Sequence, residues 1–298
     1  MINTVPPVGI GGTVNSYPWT WAGQSYQIAY ETRGEGSPVL LLPAFSTVST
    51  RSELRRVAER LSAKYQAIAL DWLGFGESDR PPIEYCAALY HQLLQDFVTH
   101  VLPTPAAVVA AGHAAGYAMQ LAQSQVFTRI VLAAPTWRGP FTVMGAPDWV
   151  TSGLRELVRS PLLGPTLYSL NTAPTFLRTM YESHVYTNKE LLTADFIDQK
   201  YQVTQHPGGR YAPVAFVTGA LDPVQSQPEF LALFQPPPVP VLTVIAEQAP
   251  AASKAEMKAI GYCSGVETRR LPGALGLYEE YADELADITL EFLGRASS

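Results

Sequence analysis

The segment that most constrains the fold is Gly112-His113-Ala114-Ala115-Gly116, directly after the apolar run Ala106-Ala107-Val108-Val109-Ala110-Ala111. A continuous apolar run of this length reads as a strand buried on both faces. Two glycines framing three residues then call for a sharp backbone turn, and the alanine-rich stretch from Ala115 to Gln125 favours a helix. G-x-S-x-G at such a strand-to-helix turn is the frame that exposes a reactive serine; here alanine occupies its centre. A methyl group cannot attack a carbonyl, so the turn is expected to be kept and that chemistry lost.

The rest of the chain repeats the same rhythm. Trp19-Thr20-Trp21 and the alternating Tyr26, Ile28 and Tyr30, separated by Ala22-Gly23, predict a β-hairpin. Val39 to Leu42, Ala67 to Leu70, Ile130 to Ala134, Val239 to Ile245 and Val266 to Leu271 read as further strands. Helical spacing covers Arg51 to Tyr65, Tyr85 to Leu102 and Glu279 to Leu293. Strand–helix alternation of this kind implies an α/β fold with a mostly parallel sheet and helices on both faces. Residues 137–238 interrupt it with many prolines and helical pieces such as Thr151 to Arg159 and Leu191 to Tyr201. They are read as a mainly helical cap over the carboxyl edge of a core formed by 1–136 and 239–298, the edge where such sheets place ligands.

Composition sets outer limits. A chain of 298 residues, 47 % hydrophobic, can bury a full-sized core. A net charge of −6 argues against nucleic acid and against an anionic membrane surface as partners. Cys86 and Cys263 read as small buried residues in a reducing compartment rather than as a bridge. Met1 to Pro7 lacks the pattern of a signal peptide, and no apolar stretch is long enough to span a bilayer, so a cytoplasmic protein is expected.

Leu70-Asp71-Trp72-Leu73-Gly74-Phe75-Gly76-Glu77-Ser78-Asp79-Arg80-Pro81, taken with the Gly112–Gly116 frame, resembles the α/β-hydrolase superfamily over residues 17 to 293. The likeness is to the esterase, dehalogenase and pheophytinase branch with a helical cap, in phrasing most similar to members from cyanobacteria and plastids. That family runs nucleophile, acid and histidine base in chain order. The resemblance places Ala114 at the first, Ala249 at the second and Leu275 in the P-G-x-H position of the third. Asp222, in Gly219-Ala220-Leu221-Asp222-Pro223, also resembles the acid turn, but its simpler reading is a helix N-cap ahead of Gln227 to Phe234. No histidine follows His206, so no alignment of the last part of the chain supplies the usual base. Three aliphatic positions point to a naturally atypical site rather than to one engineered serine.

What the resemblance leaves in place is backbone. Oxyanion-type N–H donors are expected at Phe45 and Ala115, and such donors survive side-chain replacement. His113 is read as structural, Ser46 and Ser49 as loop hydroxyls without an identifiable base, and Asp71 and Ser78 as residues that fix their own turn. Trp137, Phe141 and Trp149, with other cap aromatics, suggest a pocket for a hydrophobic or aromatic ligand. No metal-ligand cluster or phosphate-cradling loop is evident, so no cofactor is expected. The first expectation is a catalytically degenerate hydrolase fold that binds a small hydrophobic ligand or a protein partner. The second is a hydrolase or lyase of an apolar ester-like substrate with a displaced constellation drawing on His184, His206 or Asp222; the third is a purely structural interaction protein.

Overall fold

The computed structural model describes residues 9–295, so Met1 to Val8, including the Met1 to Pro7 stretch read above, and the last three residues lie outside it. Strands β1 (Thr13–Trp21) and β2 (Gln24–Arg33) form the predicted hairpin. Its two-residue turn is Ala22-Gly23, both with positive φ, +48° and +79°, as the turns that follow strand twist require. One face of the hairpin is pinned to helix α2 (Ala87–Val101), where buried Trp19 donates its indole N–H to Asp96 at 2.8 Å.

Inward from the hairpin come β4 (Gln66–Leu70), β3 (Pro38–Leu42), β5 (Ala106–Ala111), β6 (Phe127–Ala133), β7 (Val241–Ala246) and β8 (Val266–Leu271), in the order 1-2-4-3-5-6-7-8. From β4 to β8 every pairing is parallel. β3, β5 and β7 are buried at every position, which explains why they read as unbroken apolar runs. Two large buried clusters cover the sheet. One contains Leu40, Leu42, Phe45, Trp72, Tyr90, Ala114 and Tyr117; the other contains Leu41, Ala44, Val109, Val244, Ala249 and Phe292. Alternate residues of β3 (Leu40 against Leu41) face opposite ways into the two, the period-2 geometry of a strand.

Some boundaries differ from those expected. Helix α1 is Arg55–Leu61, preceded by a tighter turn at Arg51–Leu54, and it stops before Tyr65. The C-terminal helix is two pieces, Leu277–Glu280 and Ala282–Leu293, broken at Tyr281 (φ −115°, ψ 42°). Between β6 and β7 every element is helical, from Pro140–Val143 to Gln227–Ala232. Both thiols are free, Cys263 buried and Cys86 half-buried. Among the described residues no helix is long and apolar enough to cross a membrane.

Candidate functional site

The turn after β5 carries its strain two residues earlier than expected. Gly112 has φ +51°, whereas His113 is helical (φ −63°, ψ −25°) and Ala114 is the fully buried first residue of helix α3 (Ala114–Ala122). Ala114 packs with Tyr117 on one side of the sheet, away from Ala249 and Leu275, which belong to the other cluster. A side chain on Gly112 would instead begin 2.9 Å from Ala44 Cβ, on the Ala249 side, and 3.7 Å from the Thr136 hydroxyl. The tip of the turn is therefore Gly112, and assigning the tip to Ala114 is corrected. The glycine-framed motif masks this by making Gly112 a flank; the smaller frame Ala110-x-Gly112-x-Ala114 carries the signal. No hydroxyl or thiol is attached at either residue.

The expected oxyanion donors divide. Ala115 N–H donates to the Gly112 carbonyl at 3.2 Å, so it is not a free donor. Phe45 N–H, just beyond β3, finds no acceptor among the described residues. The Phe45 ring fills the space beside it. It lies 5.0 Å from Trp72, 4.9 Å from Tyr90 and 5.7 Å from Tyr117, centroid to centroid, and is almost fully buried. The polar atoms of that aromatic box are satisfied locally: Trp72 donates to Pro43 O at 2.9 Å, Tyr90 to Leu73 O at 2.8 Å and Tyr117 to Leu221 O at 2.7 Å. Ser46 Oγ accepts from Val48 N–H at 3.2 Å, and Ser49 donates to Ala44 O.

Of the other two positions, the one after β8 is bonded to the cap. Ala249 is buried where β7 ends. Leu275 N–H donates to His184 O at 3.2 Å and Gly276 N–H to Val185 O at 2.9 Å, so a helical turn of the cap, Tyr181–Val185, is bonded directly onto the loop after β8. A side chain at Gly276 would begin 2.7 Å from Val185 Cγ1. Underneath, Lys200 donates to both oxygens of Glu279, at 2.9 and 3.0 Å, and lies 3.6 Å from buried Glu53. Burial pushes the Glu53 carboxyl up to about 8; Lys200 opposes this and Glu279 adds to it. Of the cap histidines, His184 contributes only its carbonyl here, and the His206 side chain is exposed.

The cap aromatics do not converge on the turn. Trp149 is 77 % exposed on the outer surface, Phe141 is half-buried, and Trp137 is buried against Phe230. The expectation that Trp149 lines a pocket is corrected. A cleft of about 150 Å³ does lie between core and cap, but it is lined by Tyr85, Cys86, Ser152, Arg155, Arg159 and Tyr211. A second groove runs between Pro174–Thr179 and Ala194–Asp198, also away from Gly112.

One polar constellation does reach the turn. His113 is 2 % exposed; its Nε2 lies 3.1 Å from Asp222 Oδ1 and its Nδ1 lies 2.9 Å from Thr136 Oγ1. A carboxylate only accepts, so in the neutral ring the network assigns the proton to Nε2 and leaves Nδ1 to accept from Thr136. Asp222 also accepts from Gly139 N–H at 2.7 Å. The helix-cap reading of Asp222 is thereby corrected: Ser226 caps Gln227–Ala232, accepting from Glu229 N–H at 3.4 Å. Composition gave no hint that Asp222 would reach 109 residues back to His113. The expected turn roles of Asp71 and Ser78 are both present: Asp71 accepts from Glu77 N–H at 2.9 Å, and Ser78 accepts from Ala29 N–H at 2.8 Å and donates to Asp71 O at 2.7 Å.

Residues 39–288 match the sequence profile of the alpha/beta hydrolase family. This chain belongs to that family. Solved α/β hydrolases superpose over nearly its whole length. A serine hydrolase involved in carbazole degradation aligns with TM-score 0.68 at 18 % identity, over 94 % of this chain and 99 % of its own. A mutant haloalkane dehalogenase from Agrobacterium tumefaciens C58 aligns with TM-score 0.71 at 16 %, over 97 % and 100 %. A bromoperoxidase from Bacillus anthracis aligns with TM-score 0.69 at 17 %, over 94 % and 100 %. At these identities the likeness is one of fold. An uncharacterized protein of Mycobacterium tuberculosis (strain H37Rv) is 29 % identical over 111 residues, which is 37 % of this α/β hydrolase and 32 % of the relative. The aligned stretch thus spans about a third of that relative's length.

Proposed function

We propose that this α/β-hydrolase is catalytically degenerate and acts by binding, to a small hydrophobic ligand or a protein partner. The observation that carries the reading is the bare tip: Gly112 at the strained residue, followed by Ala249 after β7 and Leu275 and Gly276 after β8. Acyl transfer needs a nucleophile with a base to take its proton, and removing triad members leaves an acceleration of only about 10³–10⁴ from binding and oxyanion donors. The packed Phe45 ring and the cap bonded over Gly276 support binding over turnover. A small ligand would lodge in the cleft beside Tyr85 and Arg159, which has room for a group of about benzene size. The test is incubation with a fluorophosphonate and a panel of aryl and alkyl esters. No adduct and no turnover above the uncatalysed rate are expected; an adduct on any residue near Gly112 overturns the reading.

A second reading rests on the Thr136–His113–Asp222 chain, a hydroxyl, imidazole and carboxylate in hydrogen-bonded sequence. Triads are recognised by geometry and role rather than sequence position. In this reading Thr136 Oγ attacks an ester carbonyl while His113 Nδ1 takes its proton and passes it to the departing alkoxide as the ester C–O bond breaks; water then hydrolyses the acyl-threonine, and Asp222 holds the ring. Phosphonylation of Thr136, abolished by Thr136→Ala and by His113→Gln, would favour it. Labelling that persists in both variants would exclude it.

A further inference from the structure

The cleft between core and cap has an uneven arrangement of charge. Nine of the fifteen arginines hold a carboxylate oxygen of a described residue within 4.0 Å. Of the six that do not, four stand in or beside this cleft. Arg155 and Arg159 line it from the cap helix Asp148–Arg159. Arg210 donates to Val158 O at 3.0 Å and to the hydroxyl of Tyr211, another lining residue, at 2.7 Å. Arg80 donates to Val203 O at 3.2 Å and lies 3.0 Å from where a side chain on Gly209 would begin. Burial draws the Arg80 guanidinium below its ordinary value, as expected of a cation without a close counter-charge. Two acidic residues share the lining, Glu84 and Glu156, but both are exposed and neither lies within 4.0 Å of a guanidinium nitrogen. Water screens those two, whereas Arg155 and Arg159 are half-buried.

Both lining arginines have donors left over, since a guanidinium carries five N–H groups. Arg155 donates only to neutral acceptors, Thr218 O at 3.4 Å, Thr218 Oγ1 at 3.3 Å and Ser152 Oγ at 3.2 Å. Arg159 has no side-chain hydrogen bond or ion pair among the described residues. The rest of the wall is largely apolar: Tyr85, Val214 and Ala215 are buried, and Ile83 is half-buried. We infer that the cleft binds a small aromatic carboxylate, its ring against Tyr85 and Val214 and its carboxylate on Arg155 and Arg159. A volume of about 150 Å³ admits a ring of benzene size. Arginine matches a carboxylate in a planar fork, which fixes orientation as well as charge. An inorganic anion would meet the arginines and leave the apolar wall uncovered. A neutral ring would cover the wall and leave two half-desolvated cations without a counter-charge. The inference rests on the reading that a small ligand lodges in this cleft, and it assigns that ligand's charge; no residue of the Gly112 turn takes part.

The test is fluorine NMR of 4-fluorobenzoate titrated with the full chain, with 4-fluorobenzamide as the neutral counterpart and inorganic phosphate as a competitor. The benzoate is expected to bind roughly tenfold or more tightly than the benzamide, the scale of one hydrogen bond to a charged group. Arg159→Gln should weaken it by a similar factor. Arg178→Gln, which removes a cap arginine already paired with Glu182 at 3.8 Å, should leave it unchanged. Circular dichroism confirms that each variant folds. Equal affinity for the two probes overturns the inference and leaves only an apolar ligand in the cleft. Binding of neither overturns it, and so does benzoate binding that Arg159→Gln retains in full. Displacement of the benzoate by an equal concentration of phosphate would also overturn it, by assigning the arginines to a simple anion. The fluorophosphonate assay decides the loss of catalysis on its own, so either result can fail without the other.

Discussion

His113 Nε2 and Asp222 Oδ1 meet at 3.1 Å, joining the start of α3 to the segment that leaves the cap. The same carboxylate oxygen takes the N–H of Gly139, where the cap begins. One buried carboxylate thus fastens three segments that are far apart in sequence, and both donors lose their acceptor if it is removed. Asp222→Ala is expected to lower unfolding free energy by about 2–4 kcal/mol, because unpaired buried donors cost roughly 1–3 kcal/mol each. Asp222→Asn, which keeps the shared Oδ1 as an acceptor for both donors, should cost less. Urea unfolding followed by tryptophan fluorescence measures both.

Restoring a hydroxyl should not restore an esterase. Ala114→Ser puts oxygen on a fully buried helical residue packed with Tyr117, on the side of the sheet away from Ala249 and Leu275. Gly112→Ser puts it at the tip, but at φ +51° and 2.9 Å from Ala44 Cβ. That conformation costs a non-glycine residue roughly 1–2 kcal/mol before any clash is counted. In both variants His113 is already engaged at Nδ1 and Nε2. Hydrolysis of p-nitrophenyl acetate and butyrate is expected to stay at the buffer rate for both, with Gly112→Ser the less stable. A hundredfold gain in either would show that a base is in reach of the turn.

The sheet was legible because buried parallel strands leave unbroken apolar runs, and the hairpin because Ala22-Gly23 separates two alternating segments. The candidate site was legible only through the residue types at the expected positions. The aliphatic residues after β7 and β8 stand in the sequence itself, but the tip of the turn was misplaced by two residues. Backbone strain is a property of φ, and Gly112 and Gly116 are identical letters. Phe45 was read through its N–H, whereas its ring, stacked on Trp72, decides whether the space is open. Asp222 and Lys200 were hidden for a different reason. Their partners His113, Glu53 and Glu279 lie at long separations, and no local spacing reports such pairs.

The Lys200 cluster makes a pH-dependent contribution with a definite sign. Burial raises the Glu53 carboxyl to about 8, well above the roughly 4.3 of an unfolded glutamate. Between those values the folded chain holds a proton that the unfolded chain has released. Bound protons are then fewer in the unfolded state, and unfolding free energy falls as pH rises through about 5 to 8. Above about 8 Glu53 is ionised in both states and its contribution no longer changes. Glu53→Gln removes the titration, so its stability curve should be flatter across that window and should rise relative to the parent toward pH 8. Chemical denaturation at pH 5, 6.5 and 8 distinguishes the two curves; parallel curves would mean that Glu53 does not titrate in this range.

Arg51 should be the most costly charged residue to remove. It is 1 % exposed and pairs with Asp71, with Glu31 at 3.1 Å and with Glu77, while Glu31 in turn holds Ile10 N–H at 2.7 Å. Glu31 on β2 and Asp71 after β4 are themselves buried, so without the guanidinium two carboxylates face each other in a dry interior. Arg51→Met is expected to cost about 3–5 kcal/mol, the range for stripping one partner from a buried ion pair. Arg51→Lys should recover little of this, since one ammonium cannot reproduce a planar fork that reaches three carboxylates at once. The loss in Arg51→Met should shrink in acid, where the stranded carboxylates can protonate. Combining Arg51→Met with Glu31→Gln and Asp71→Asn should recover part of it at neutral pH, because the unpaired charges are then gone. If the triple variant is no more stable than Arg51→Met alone, the cost comes from lost packing and backbone contacts rather than from stranded charge.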